Sequence, residues 1–276
     1  REEVRMAKKA LNAIVAQRSE VAPGLIIIRV VPDGWELPDF KPGQFAVLGL
    51  PGAAPRAPGT DPEEEASDPE KIISRAYSIA SSSVAREYLE FYITLVYSGA
   101  LTPRLFNLKI GDPVFLGPKI TGRFTLDEVP SEANVALVST GTGIAPYMSM
   151  VRTMLNQETR RRLAVIHGAR HSWDLGYSSE LVMLEQAWST LAYIPIISRP
   201  QQEPTPWNGQ SGYVQDVWTK GILKEAWGFH PEPGNTHVLL CGNPAMIETM
   251  EEILQREGFS EHSKKSPGQY HLERYW

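Results

Sequence analysis

At 276 residues the chain has room for two domains, each large enough to bury its own core. A formal net charge of −5 speaks against nucleic acid as the main partner, since phosphate backbones are met by basic surfaces. The single cysteine, Cys241, excludes an internal disulfide and any cysteine-ligated zinc or iron–sulfur centre.

The opening stretch REEVRMAKKALNAIVAQ alternates charged and apolar residues and lacks the apolar core of a signal peptide. Nowhere does an apolar run reach the roughly 18 residues that read as a membrane span. A cytoplasmic protein is expected. From residue 10 to about 128 the pattern is one of short strands. Ala13–Gln17, Leu25–Val31, Gln44–Leu50, Ser74–Ile79, Leu89–Tyr97 and Asp112–Leu116 are rich in valine, isoleucine and aromatics, with Gly or Pro between them. A helical insert, TPRLFNLK, fits between the last two. Strands at this spacing predict a closed antiparallel β-barrel over residues 1–128, a closure that leaves no strand edge exposed.

The segment Pro51–Pro69 breaks the pattern. It is acidic, carries five prolines, and on composition is expected to be a mobile surface loop. Shortly after it, at residues 75–83, comes RAYSIASSS. On a strand, Arg75 and Tyr77 share one face, and Ala76 and Ser78 the other. This raises the question of what needs a guanidinium and an aromatic ring side by side.

Over residues 133–276 the grammar changes. VALVS, LAVIH, AYIPIIS and HVLLC are nearly all apolar and alternate with stretches of helical spacing, which predicts a parallel sheet covered on both faces. Ligands of such sheets bind beyond the carboxyl ends of the strands. There the first run is followed by Thr140-Gly141-Thr142-Gly143-Ile144-Ala145-Pro146, whose glycines let backbone approach a phosphate. The second run ends at Ala169-Arg170 and the third at Ser198-Arg199. An arginine in this place suits a nucleotide 2′-phosphate, hence NADP. Tyr213 can stack on an adenine or lie half-buried in a loop. The fourth run ends at Cys241-Gly242-Asn243, where the cysteine is either a small apolar filler or part of a site. The pair His167 and His171 has no acidic ligands clustered nearby, and no metal is expected.

Taken in order, RAYS, G-x-L-T-P-R-L, GTGIAP, CGNP and the terminal ERYW resemble the ferredoxin/flavodoxin–NADP⁺ reductases of the bacterial branch, over nearly the whole chain. The resemblance implies an FAD-binding barrel followed by an NADP-binding Rossmann-like domain whose tail returns to the flavin. It implies that Arg75 holds the FAD pyrophosphate, that Tyr77 stacks on the isoalloxazine ring, and that Ser78 reaches the N5 region. Ala76 and Tyr92 join the flavin contacts, and Gly99, Ala100, Leu101 and Thr102 form a phosphate-contacting turn. Thr142 lies close to the flavin, while Tyr275 and Trp276 cover its second face. Thr140, Gly141, Gly143, Ala169, Arg170, Ser198, Arg199, Tyr213, Gly242 and Asn243 map onto the NADP site. Ser211 stands where plastid relatives carry a lysine, so one cation of that pocket is missing. Ser78, Cys241 and Glu273 surround the hydride-transfer contact.

The implied activity is hydride exchange between NADP(H) and flavin N5, with single electrons passed to ferredoxin or flavodoxin by a monomer. Lys119, Arg123, Lys264, Lys265 and Arg274 are candidates for a basic rim facing such an acidic carrier. An NADH-dependent reductase of the same superfamily and a flavin-bearing electron-transfer subunit remain the alternatives.

Overall fold

The computed structural model describes residues 11–155 and 160–274. The chain divides into two compact units, Arg1–Thr125 with Met148–Thr153, and Leu126–Tyr147 with Met154–Trp276.

The first unit is the antiparallel barrel. Its strands are β1 (Ala13–Ala22), β2 (Leu25–Pro32), β3 (Phe45–Pro51), β4 (Ile72–Ser78), β5 (Leu89–Thr94) and β6 (Pro113–Leu116), in the order β4-β3-β6-β1-β2-β5. Pro23 and Gly24 turn β1 into β2, with Gly24 at a φ of 79° as a type II turn requires. Two register shifts in the β1–β2 ladder bend the sheet. The end strands meet where Ala80 N–H, just past β4, donates to the Glu90 carbonyl of β5 at 2.8 Å. Inside lie Val15, Ile26, Ile28, Leu48, Phe91, Ile93, Leu105 and Leu116, each contributing roughly 1.5–3 kcal/mol by leaving water. The short helix α1 (Thr102–Asn107) carries Pro103 in its first turn, where a fixed φ and a missing N–H are suited.

Glu90 is 2% exposed within this barrel. Its carboxylate accepts from Arg29 Nε and from Arg152 Nη1, each at 2.7 Å. Arg152 belongs to the Met148–Thr153 segment counted with this unit, and also donates to Ala80 O at 2.8 Å. The Arg29 guanidinium lies 4.5 Å over the Tyr88 ring.

The second unit is the parallel sheet. It comprises β7 (Asn134–Thr140), β8 (Leu163–Ala169), β9 (Leu191–Ile197), β10 (Gln210–Ser211), β11 (Thr236–Gly242) and β12 (Tyr270–Arg274), ordered β10-β9-β8-β7-β11-β12. The four apolar runs form its centre, and the helices α2 (Ala145–Met154), α3 (Ser178–Ala187), α4 (Val214–Thr219), α5 (Ile222–Trp227) and α6 (Pro244–Arg256) connect the strands. Ile166, Val214, Trp218, Val238, Leu240, Ile247 and Leu254 belong to one core cluster. Among the described residues no helix is long and apolar enough to cross a membrane.

The 51–69 segment is the irregular surface loop expected from its composition, but it is tied to its surroundings at several points. Gly52 and Ala53 N–H donate to the Lys71 and Pro69 carbonyls, and Ala57 N–H reaches Pro103 O at 2.8 Å. Charged side chains pin the rest: Arg104, 3% exposed, donates both terminal nitrogens to Glu63 at 2.9 Å. Composition foresaw a segment that cannot pack a core, but not that a distant guanidinium would hold it.

Candidate functional site

At the carboxyl edge of the parallel sheet, two loops interlock. A Cβ at Gly143 would come within 2.5 Å of Cys241 O, and one at Gly242 within 2.4 Å of Thr140 Oγ1. Gly242 has a φ of 135° and Gly141 one of 55°, a range side chains avoid. Thr140 Oγ1 accepts from Asn243 N–H at 2.8 Å, and the Asn243 side chain caps α6 through Ala245 N–H at 2.9 Å. The GTGI segment is a 3₁₀ turn leading into α2. Beneath it His167 is fully buried, and burial pushes its pKa down to about 4. The neutral ring donates from Nε2 to Gly141 O at 3.0 Å. A Cβ on Gly141 would meet nothing within 4 Å, so this side of the turn is open.

Cys241 and Glu273 are register partners on β11 and β12. Cys241 is wholly buried, and its thiol lies 3.9 Å from Glu273 Oε2. The expected tail is thus a strand of the sheet as far as Arg274. Tyr275 and Trp276 lie outside the described residues.

On the other side of the sheet the cations gather as expected. Ser198 N–H and Arg199 N–H donate to the carbonyls of Ala169 and Arg170, so the ends of β8 and β9 stay paired past the last ladder residue. Both arginines are exposed. Arg170 makes one contact, Nε to Asp174 at 3.6 Å, and Arg199 makes no side-chain bond among the described residues. Tyr213 is 63% exposed at the start of α4, and Ser211 is exposed in β10. His171 is no partner for His167. It stacks on Trp173 at 4.4 Å and bonds to Asp174 and Gln202.

In the barrel, β4 carries Arg75 and Ala76 exposed, Tyr77 half-buried and Ser78 buried. Arg75 donates only to the neighbouring Ser74 O, at 2.8 Å, leaving most of its fork free among the described residues. Tyr77 packs edge-on to Phe91 with centroids 6.5 Å apart, and burial pushes its phenol well above the usual range. Tyr92 is buried on β5. The turn before α1 is tied by Thr102 Oγ1, which accepts from Val96 N–H at 2.9 Å and donates to Val96 O at 3.1 Å. The N–H groups of Ala100, Leu101 and Thr102 make no hydrogen bond among the described residues. A cluster of unpaired amides is the donor set a diphosphate requires. These residues therefore fit the group the resemblance implies.

Two features escaped sequence reading. One is a network of Arg56, Glu63 and Arg104 in the first unit. The other is a histidine cluster in the second unit, where His262 and His271 stack at 4.5 Å, His237 Nδ1 lies 3.3 Å from His271 Nε2, and His262 pairs with Glu128. Of the expected rim, Lys119, Arg123, Lys264 and Lys265 are exposed, whereas Arg274 is engaged by Glu251.

The sequence model of the oxidoreductase NAD-binding domain matches residues 137–252. A flavodoxin/ferredoxin–NADP reductase of Buchnera aphidicola is 35% identical over 208 residues, covering 75% of this chain and 82% of that protein. The flavodoxin/ferredoxin–NADP reductase of Escherichia coli is 31% identical, with 86% of this chain and 88% of that protein covered. A crystal structure of a ferredoxin–NADP⁺ reductase from Neisseria gonorrhoeae with bound FAD and NADP superposes with a TM-score of 0.78 at 22% identity, over 96% of this chain and 98% of that one. With the barrel, the parallel sheet and the motif residues in their expected elements, the chain belongs to the flavodoxin/ferredoxin–NADP reductase family of oxidoreductases.

Proposed function

We propose that the first unit binds FAD, that the second binds NADP(H), and that the protein exchanges electrons between NADP(H) and ferredoxin or flavodoxin in the cytoplasm. The observation that carries this is the carboxyl edge of the parallel sheet. Arg170 and Arg199 offer nearly free forks at the paired ends of β8 and β9, and charge-assisted bonds from such forks suit a 2′-phosphate. Ala169 and Ser198 would line that pocket, and exposed Tyr213 would stack on the adenine. Across the sheet, Thr140, Gly141, Gly143, Gly242 and Asn243 would shape the path of the nucleotide pyrophosphate.

In the barrel, Arg75 and the amides of Ala100, Leu101 and Thr102, in the turn that Gly99 opens, would hold the FAD diphosphate. Tyr77 would give the flavin a flat face, with Ala76, Ser78, Tyr92 and Thr142 around it and Tyr275 and Trp276 as its cover. Bound FAD supplies hydride acceptance at N5 and onward release of single electrons. At the nicotinamide, the Glu273 carboxylate would stabilise the positive charge that develops as hydride leaves. The compact Cys241 thiol would let the ring approach closely, and Ser78 would offer a hydroxyl near N5. Lys119, Arg123, Lys264 and Lys265 would attract an acidic carrier.

The test is an anaerobic titration of the FAD-loaded protein with NADPH and with NADH, repeated after Arg199→Ala. Faster bleaching by NADPH, with that preference lost in the variant, supports the assignment. Equal response to both nucleotides would favour the NADH-dependent alternative.

A further inference from the structure

The segment between β3 and β4 plays no part in the cofactor assignments, yet it is anchored by two arginines. Arg104 of α1 donates to both carboxylate oxygens of Glu63, and also to Ala100 O and Gly52 O at 2.6 Å each. Arg56, from the segment itself, donates to Gly99 O at 2.9 Å, to Tyr97 O at 3.2 Å and to Asp61 O at 2.7 Å. Glu63 Oε1 lies 3.7 Å from Arg56 Nη1 and accepts from Ser67 Oγ at 2.7 Å. One carboxylate thus orients two guanidiniums, and the guanidiniums grip three carbonyls of a single turn.

The grip has a geometric consequence. A trans peptide unit is planar, and its C=O and N–H point in opposite directions. Holding Gly99 C=O and Ala100 C=O toward the segment turns the N–H groups of Ala100 and Leu101 away from it. Those amides are among the ones left without partners among the described residues. Resting on the proposal that the barrel binds FAD, we infer that Glu63, acting through Arg104 and Arg56, is a positioning residue that presents the Ala100 and Leu101 amides to the FAD diphosphate. The acidic segment is thereby a clamp on cofactor affinity, built beside the turn rather than within it. The bonds involved are charge-assisted, the class in which loss of one partner costs most.

The experiment strips the flavin and titrates the apoprotein with FAD and, separately, with riboflavin, reading the quenching of flavin fluorescence. Glu63→Gln keeps the shape and removes the charge. Arg56→Gln, which leaves the Arg104–Glu63 pair intact, serves where the first variant folds poorly. The expected result is about a tenfold rise in Kd for FAD, with riboflavin affinity unchanged because riboflavin has no phosphate to engage. Replacing the neighbouring Glu64 and Glu65 with Gln should leave FAD affinity at the wild-type value. Wild-type FAD affinity in both Glu63→Gln and Arg56→Gln overturns the clamp, as does equal weakening of FAD and riboflavin. Failure of the wild-type apoprotein to take up FAD overturns the underlying assignment instead.

Discussion

Cys241 and Glu273 face each other across the β11–β12 ladder, the thiol sulfur 3.9 Å from a carboxylate oxygen and the cysteine wholly shielded from water. A carboxylate beside a small buried donor is a fixed electrostatic feature, not a flexible contact. Glu273→Gln should slow reduction of the bound flavin by NADPH by about tenfold or more while leaving the KM for NADPH nearly unchanged, as expected when charge matters in the transition state alone. Stopped-flow absorbance of the flavin reads the rate directly. An increase in KM at constant rate would mean that Glu273 serves binding only.

The carrier should respond to charge on the exposed lysines. Changing Lys264 and Lys265 together to Glu is expected to raise the KM for ferredoxin or flavodoxin severalfold and flatten its dependence on salt. Turnover with a small artificial acceptor should stay constant in the same variant. If both activities fall equally, the lysines act on folding and not on the partner.

Glu90 makes a stability prediction. Replacing Arg152 with Met removes one of its two guanidinium partners and leaves a carboxylate that is 2% exposed half-compensated. Breaking a buried pair from one side costs about 3 kcal/mol or more. The variant should show a clearly lower urea midpoint. Restoring stability with Glu90→Leu in the Arg152→Met background would identify the lost charge compensation as the cause.

Acid should loosen the second unit before it protonates most carboxylates. Burial holds His167 and His271 at about 4 and His237 below the ordinary 6.5. His271 faces His262, His237 and Glu128, and His237 also feels Arg161. These folded values lie below the unfolded one, so the unfolded chain binds more protons as pH falls. Stability is therefore full above about pH 6.5 and is lost progressively toward pH 4. Thermal melts across that window should show the slope, and His271→Gln should reduce it. Glu63 acts lower down: held at about 2 chiefly by Arg104, it gives stability that persists above pH 4.5 and fades only as pH drops toward 2.

Much of this was legible in the residues. The barrel strands advertise themselves through β-branched runs, and the parallel strands through unbroken apolar ones. The place of Arg170 and Arg199 at the ends of β8 and β9 could be read from the sequence, because each directly follows an apolar strand run. Other features were hidden for definable reasons. β1 continues to Ala22 because Arg18, Ser19 and Glu20 pair with Ile28, Ile27 and Ile26 while Ser19 and Glu20 meet solvent and Arg18 reaches Phe106 O, and polar residues mask a strand. β12 reads as a charged tail because YHLER owes its conformation to the edge offered by β11, not to its own propensity. The 51–69 segment looked unanchored because its anchor, Arg104, lies dozens of positions away in sequence.

Gly143 and Gly242 carry a lesson for anyone diversifying this chain. Each is blocked by main-chain atoms of the opposing loop, so no compensating side-chain swap can open room for a methyl group. The two codons behave as one locked unit, closed to gradual drift. Libraries aimed at the proposed nucleotide site should hold both fixed and spend their diversity at positions 170, 174, 199, 211 and 213.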